Sequence, residues 1–186
     1  MNRQTMADRN QLIQELKSYS GFDHAEQQFV DRFVSLLRHR DAFQRTHLPG
    51  HITGSAWISN EAGTEVLLTH HAKLDKWLQP GGHADGDENV IRVASREAEE
   101  ETGLAEIVLA VDRIFDLDIH VIPQRGDMPE HYHYDIRYLF RASKQLPLIV
   151  TAESHALSWV KLEDLERVTN GNTSMMRMAQ KMVRLL

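Results

Sequence analysis

Residues 82–104 read GHADGDENVIRVASREAEEETGL, and this stretch crowds four glutamates, Glu97, Glu99, Glu100 and Glu101, into barely more than one helical turn. Like charges three or four residues apart on a helix repel by roughly 0.2–0.5 kcal/mol per pair. Such a run is either a solvated face or a place where something cationic sits. A helical wheel separates the two. With Val90 at zero, Val93, Ala94 and Ala98 define an inward apolar stripe. Glu97 falls at roughly −20°, Glu101 at roughly 20° and Glu100 at roughly −80°, all three continuing that stripe, and Glu99 at roughly 180° on the outer face. Carboxylates on a partly buried face must be protonated, paired or bound to metal. Arg96 reaches one of them and cannot neutralise three. A hard divalent cation with oxygen ligands, Mg²⁺ or Mn²⁺, is the economical answer.

The segment before the helix supports this. GGHADGDEN is a glycine-rich, acidic loop leading into a helix N-terminus, where backbone amides and the helix dipole favour anions such as phosphate. A carboxylate metal site beside a phosphate-friendly loop suits phosphoryl or pyrophosphate cleavage.

Working outward, residues 50–170 alternate strand-like and helical runs. HITGSAWIS and EVLLTHH read as strands around a turn at NEAGT, and NVIRVASREAEEET as a helix. EIVLAVDRIFDLDIHVI and YHYDIRYLFRA are strand-like, separated by the loop PQRGDMPEH. HALSWVKL is a short strand and LEDLERV a short helix. Strands interleaved with a few helices predict an α/β sandwich around a mixed sheet. Residues 1–45 form a helical extension: a short helix around Leu12, Ile13 and Leu16, then a second with capping-box spacing at Asp23 and Glu26 and an apolar stripe from Phe29 to Leu37. It packs on the main domain, residues 46–186, or serves as a substrate lid or homodimer contact. The tail from Asn172 carries Met175, Met178, Ala179, Met182 and Leu185 at helical spacing, as core.

The 186 residues are enough for one domain with a full core, and the formal net charge of −6 argues against a nucleic-acid-backbone binder. The chain has no cysteine, hence no disulfide, thiolate site or cysteine nucleophile. The N-terminal residues are polar, and no stretch approaches the length of a membrane span, so a cytoplasmic protein is expected.

The pattern in 82–104 resembles the Nudix box: glycine, five residues, glutamate, seven residues, Arg-Glu, an apolar residue, any residue, Glu-Glu, any residue, glycine, an apolar residue. Gly82, Glu88, Arg96, Glu97, Glu100, Glu101 and Gly103 meet its fixed positions, and Ala98 and Leu104 its apolar ones. The resemblance implies an α/β/α sandwich and metal-dependent hydrolysis of a nucleoside diphosphate linked to another group. It implies that Glu100 and Glu101 bind Mg²⁺ or Mn²⁺ with the Gly82 carbonyl, and that Glu97 is a further ligand or the base acting on water. It further implies that Arg96 orients a glutamate and that Glu88 binds a second metal or a water. Some members take the base from a later loop, where Glu153 is the candidate here. Isopentenyl diphosphate isomerases share the fold but rely on a cysteine. A nucleotide-sensing domain without catalysis is the alternative, though such domains usually lose box residues.

Eleven histidines are many for this length. Alternation puts His131, His133, Asp135 and Arg137 on one strand face and Asp116, Asp118 and His120 on another. With His83 in the box loop, His120, His131, His133, Asp135 and Arg137 are the expected substrate-binding residues. A second metal such as zinc, or half-exposed strand faces, are the competing uses. Trp57, Trp77, Tyr132 and Tyr134 are candidate base-stacking groups.

Overall fold

The structure is a computed structural model and describes residues 3–185. Helices α1 (Arg3–Ser18) and α2 (His24–Leu36) precede strands β1 (Gly50–Ser59), β2 (Glu65–His71), β3 (Lys76–Leu78) and β4 (Gly81–His83). Helix α3 (Val90–Thr102) follows, then β5 (Val108–Leu109), β6 (Asp116–Ile122), β7 (His131–Arg141), β8 (Ser154–Lys161), α4 (Leu165–Val168) and α5 (Thr173–Leu185). The strands join in one mixed sheet. Its centre is the parallel pair β1·β7, which runs in register from Gly50↔Tyr132 to Ser59↔Arg141. β6 flanks β7 antiparallel and β8 flanks β2 antiparallel. The other edge of β1 is divided: Ile58 and Ser59 pair with β2, while Thr53, Gly54 and Ser55 pair with β4.

Each sheet face carries its own core, as alternation requires. Ile52 and Ile58 of β1, Leu67 of β2, and Ile136, Tyr138 and Phe140 of β7 pack with α1, α2 and α3. Trp57, Val66, Leu68 and Leu139 point the other way, against Leu165 and the Met175, Met178 and Met182 stripe of α5. The result is the expected α/β/α sandwich. Trp57, a stacking candidate from sequence, is fully buried and belongs to this second core. Leu185, grouped with the methionines, is 44% exposed.

Two further elements depart from the sequence reading. The run 106–122 is broken by bends at 110–113 into β5 and β6, because β7 is met first at Arg141 and Phe140 and again only from Arg137 onward. The loop 79–89 contains strand β4, made by two glycines and a histidine with no strand propensity of their own; pairing with β1 holds it. Helix α1 is longer than expected and shares the α3-side core through Leu12 and Leu16. No helix among the described residues is long and apolar enough to cross a membrane.

Candidate active site

Helix α3 starts at Asn89, whose side chain accepts from the Arg92 N–H at 3.0 Å, and ends at Gly103, where φ is 75° and the N–H donates to the Glu99 carbonyl at 2.8 Å. Only glycine adopts that left-handed cap without strain. Val90, Val93, Ala94 and Ala98 anchor the inner face. Val90 and Val93 lie directly against Gly54 of β1, where an added Cβ would stand 2.9 Å from Val90 Cγ1 and 3.1 Å from the Val90 carbonyl oxygen. This close approach sets the glutamates at the edge of β4.

The wheel assignment holds for three of the four. Glu101 is 8% exposed, Glu97 half-buried and Glu99 exposed. Glu100, which the wheel put on the inward stripe, differs: its side chain is 58% exposed and lies 3.6 Å from Arg96 Nη1. Glu97 lies flat against Gly82, so closely that a Cβ there would be 2.5 Å from Oε2. Arg96 Nη2 sits 2.9 Å from Glu97 Oε1 and donates to the His83 carbonyl at 3.0 Å. Arg96 therefore ties α3 to β4 and fixes one oxygen of Glu97. Glu101 Oε1 accepts from the Gly81 N–H at 3.3 Å.

Burial pushes the Glu101 carboxyl up to about 8, with the Glu97, Glu153 and Glu100 charges adding to the effect and the Gly81 N–H opposing it. Burial also raises Glu97; Arg96 works against this, and Glu100, Glu153 and Asp85 reinforce it. Glu153 reaches the group from a different element. It precedes β8, and its carbonyl accepts from the Ala72 N–H at 2.8 Å, beside the register shift at His70 and His71 of β2. Its charge acts on both Glu97 and Glu101, so four carboxylates from two segments share one locality. Oxygen donors in this number suit a hard divalent cation such as Mg²⁺ or Mn²⁺.

Glu88 is placed otherwise. Both its oxygens accept from Arg9 of α1, at 2.6 and 3.0 Å, in a pair whose side chains are almost wholly buried. Arg9 also donates to the His39 and Arg40 carbonyls at 3.0 and 2.8 Å. The box loop is thus clamped to the N-terminal helices. Arg45, which sequence reasoning passed over, pairs with Asp85 of the same loop and feels the Glu97 charge.

Across β4 the side chains alternate. Gly82 faces Glu97, while His83 turns to the opposite face and meets the histidines. His120, His133 and His51 stand directly opposite one another on β6, β7 and β1. His131 joins them two residues before His133, and neighbouring rings lie 5.0 to 5.5 Å apart. Burial lowers His51 to about 4 and His133 far further, with the surrounding imidazoles adding to the shift. His51 was missed in the sequence; the signal was its place at the head of an alternating strand, on the same face as Thr53.

Asp135 and Arg137 share the histidines' strand face but lie further along it, 2% and 3% exposed. Arg137 donates to Asp135 at 2.7 Å and to Asp116 and Asp118 at 3.1 Å. Thr53 and Ser55 hydroxyls complete Asp135. Arg177 and Lys181 of α5 extend the network to Asp116 and Glu26. Buried charges must be paired, and here Asp135 is taken up by Arg137, Thr53 and Ser55, and Arg137 by Asp135, Asp116 and Asp118, with Asp116 making the link to α5.

A NUDIX domain model matches residues 49–181. Among solved structures, the chain resembles the Ap4A hydrolase of C. elegans, with 18% identity and a TM-score of 0.54 over 72% of this chain and 96% of that one. It resembles a MutT NUDIX hydrolase from Burkholderia pseudomallei at 26% identity and a TM-score of 0.54, over 70% and 97% of the two chains. The NUDIX domain of Shewanella oneidensis NrtR, complexed with ADP ribose, is 19% identical with a TM-score of 0.51, over 73% and 88%. No curated protein sequence matches. The domain match spans the whole sheet, α3 and most of α5, and by it the chain belongs to the NUDIX family as a Nudix pyrophosphohydrolase.

Proposed function

We propose that the protein hydrolyses the pyrophosphate bond of a nucleoside diphosphate derivative, such as a nucleotide sugar or an ADP-ribose-like molecule, with water attacking phosphorus. Mg²⁺ or Mn²⁺ would be held by Glu97, Glu100, Glu101 and the Gly82 carbonyl. The observation that carries this reading is the gathering of carboxylates beside β4: Glu97 lies against Gly82, Glu101 accepts from the Gly81 N–H, and the charges of Glu100 and Glu153 act on both. The donor set fits the ion: it is all oxygen, anionic and partly desolvated. When bound, the cation lowers the pKa of a water and draws off charge developing on phosphate.

The chain's own groups do the rest. Arg96 holds Glu97 by Oε1 and leaves Oε2 beside Gly82. Glu153, exposed and on a separate segment, accepts the proton of the attacking water, since Glu97 already has one oxygen committed to Arg96. Arg45, paired with Asp85 of the box loop and within reach of the Glu97 charge, meets the phosphates. Glu88, saturated by Arg9, positions the loop.

The test is a screen with Mg²⁺ and with Mn²⁺ over nucleotide sugars, ADP-ribose, dinucleoside polyphosphates, NADH, coenzyme A and nucleoside triphosphates. Turnover of at least one, dependent on the metal, is expected. Absence of turnover with all of them, in folded protein that binds Mn²⁺, would overturn catalysis in favour of nucleotide binding alone.

A further inference from the structure

We infer that His51, His131 and His133 form a second metal site, a three-histidine site for a borderline divalent cation of which Zn²⁺ is the chief candidate, on the sheet face opposite α3. One ring nitrogen from each of the three lies within 4.8 Å of the other two. The register enforces this: His51 and His133 are direct partners across the parallel β1·β7 pair, and His131 lies on the same face one pleat away.

The hydrogen bonds fix which nitrogens are free. His51 Nδ1 donates to the His47 carbonyl at 3.3 Å, and His131 Nδ1 donates to the Pro129 carbonyl at 2.9 Å. A carbonyl only accepts, so Nδ1 carries the proton in both rings and Nε2 keeps its lone pair. Backbone carbonyls on the far nitrogen are the usual outer partners of metal-binding histidine, setting tautomer and ring orientation. His51 is 1% exposed, and its Nε2 and that of His133 are buried with no hydrogen-bond partner. A buried polar atom left unpaired is destabilising, and a cation among the rings removes that cost at both atoms.

Imidazole donors select Zn²⁺ and its neighbours, whereas Mg²⁺ prefers oxygen. The two faces of β4 therefore sort ions by chemistry, carboxylates behind Gly82 and histidines around His83. Zinc–nitrogen bonds of about 2.0–2.1 Å in a tetrahedron put ligand nitrogens about 3.3 Å apart, so the three rings draw together when the ion enters. Three protein ligands leave a fourth position for water or a phosphate oxygen, and the His83 and His120 rings lie 5.0 and 5.5 Å from the His133 ring. This site does not depend on the hydrolysis reading.

Full-length protein is stripped with chelator and titrated with Zn²⁺ in excess Mg²⁺, against a chromophoric competitor. A parallel titration with Co²⁺ reads the visible absorption of nitrogen-coordinated cobalt. One Zn²⁺ per chain is expected in the wild type and in Glu101→Gln, which damages only the carboxylate site. His120→Asn keeps it as well. His133→Asn weakens it by more than the roughly 10–100-fold that an outer-shell change costs. Should His133→Asn fail to fold, the wild-type cobalt spectrum decides. No stoichiometric Zn²⁺ in wild type, an octahedral all-oxygen cobalt spectrum, or loss of the zinc in Glu101→Gln would overturn the inference.

Discussion

Gly82→Ala isolates the placement of one carboxylate from the stability of the fold. The added carbon would stand 2.5 Å from Glu97 Oε2, 2.6 Å from Cδ and 2.8 Å from Oε1. Ordinary contact begins near 3.5 Å, so the carboxylate must retreat by about 1 Å. It sits at the end of a flexible side chain, and an off-rotamer shift costs about 0.5–1.5 kcal/mol. Replacing glycine in a compatible backbone returns about 0.4–1 kcal/mol through the unfolded state. Stability should therefore move by less than about 1 kcal/mol, while a misplacement of about 1 Å costs roughly 100-fold in kcat. Gly81→Ala is the contrast. Its added carbon meets the Ser55 hydroxyl and, at 2.9 Å, the Ser55 Cα of β1. Backbone does not rotate away, so β1 and β4 must part, at a cost of about 1–3 kcal/mol. Thermal melts and kcat on the best substrate of the screen, with Mn²⁺ affinity by EPR, measure both. Unchanged kcat in Gly82→Ala, or a loss of stability matching Gly81→Ala, would refute the geometry assigned to Glu97.

Other perturbations follow from the same contacts. Arg9→Ala leaves Glu88 buried without its partner, at about 3 kcal/mol, and should lower the melting midpoint by roughly 6–12 °C; Glu88→Gln should behave alike if the pair is structural. Glu153→Gln should reduce kcat by about 10²–10⁴-fold with Mn²⁺ affinity retained, as loss of a general base requires; loss of affinity instead would make Glu153 a ligand. Glu101 is raised above its unfolded value, so its protonated form favours folding. That contribution is complete below about 4.5 and is lost as pH rises through about 8. Without divalent metal the melting midpoint should fall across this window, and the stabilisation given by added Mg²⁺ should grow across it.

The glutamates were legible because one short helix carries all but one of the site's carboxylates, and a 100° rotation per residue places them without knowledge of the rest of the chain. The cap at Asp23 was equally local, and its carboxylate does accept from the Glu26 N–H at 2.8 Å. Glu26 itself was misread in detail: it bonds the Phe22 N–H rather than closing a box on Asp23, and serves as a buried acceptor for Tyr19, Leu117 and Lys181. What sequence could not supply was contact across the sheet. The histidine row depends on the pairing of His51 with His133, and the fate of Glu88 on Arg9, seventy-nine residues away. Alternation grouped Asp135 and Arg137 with the histidines correctly, yet only the pairing of β7 with β1 and β6 shows that their partners lie inside the protein.

The central claim is that α3 carries a divalent-cation site on its inner face and not its outer one. Turnover by Glu101→Gln and by Glu99→Gln, measured side by side at saturating Mg²⁺, tests it most directly. Glu101→Gln should lose activity by about 10²–10³-fold, in the range of removing a charge-stabilising group from a reaction centre, and Glu99→Gln should match the wild type. Equal behaviour of the two variants would contradict the account.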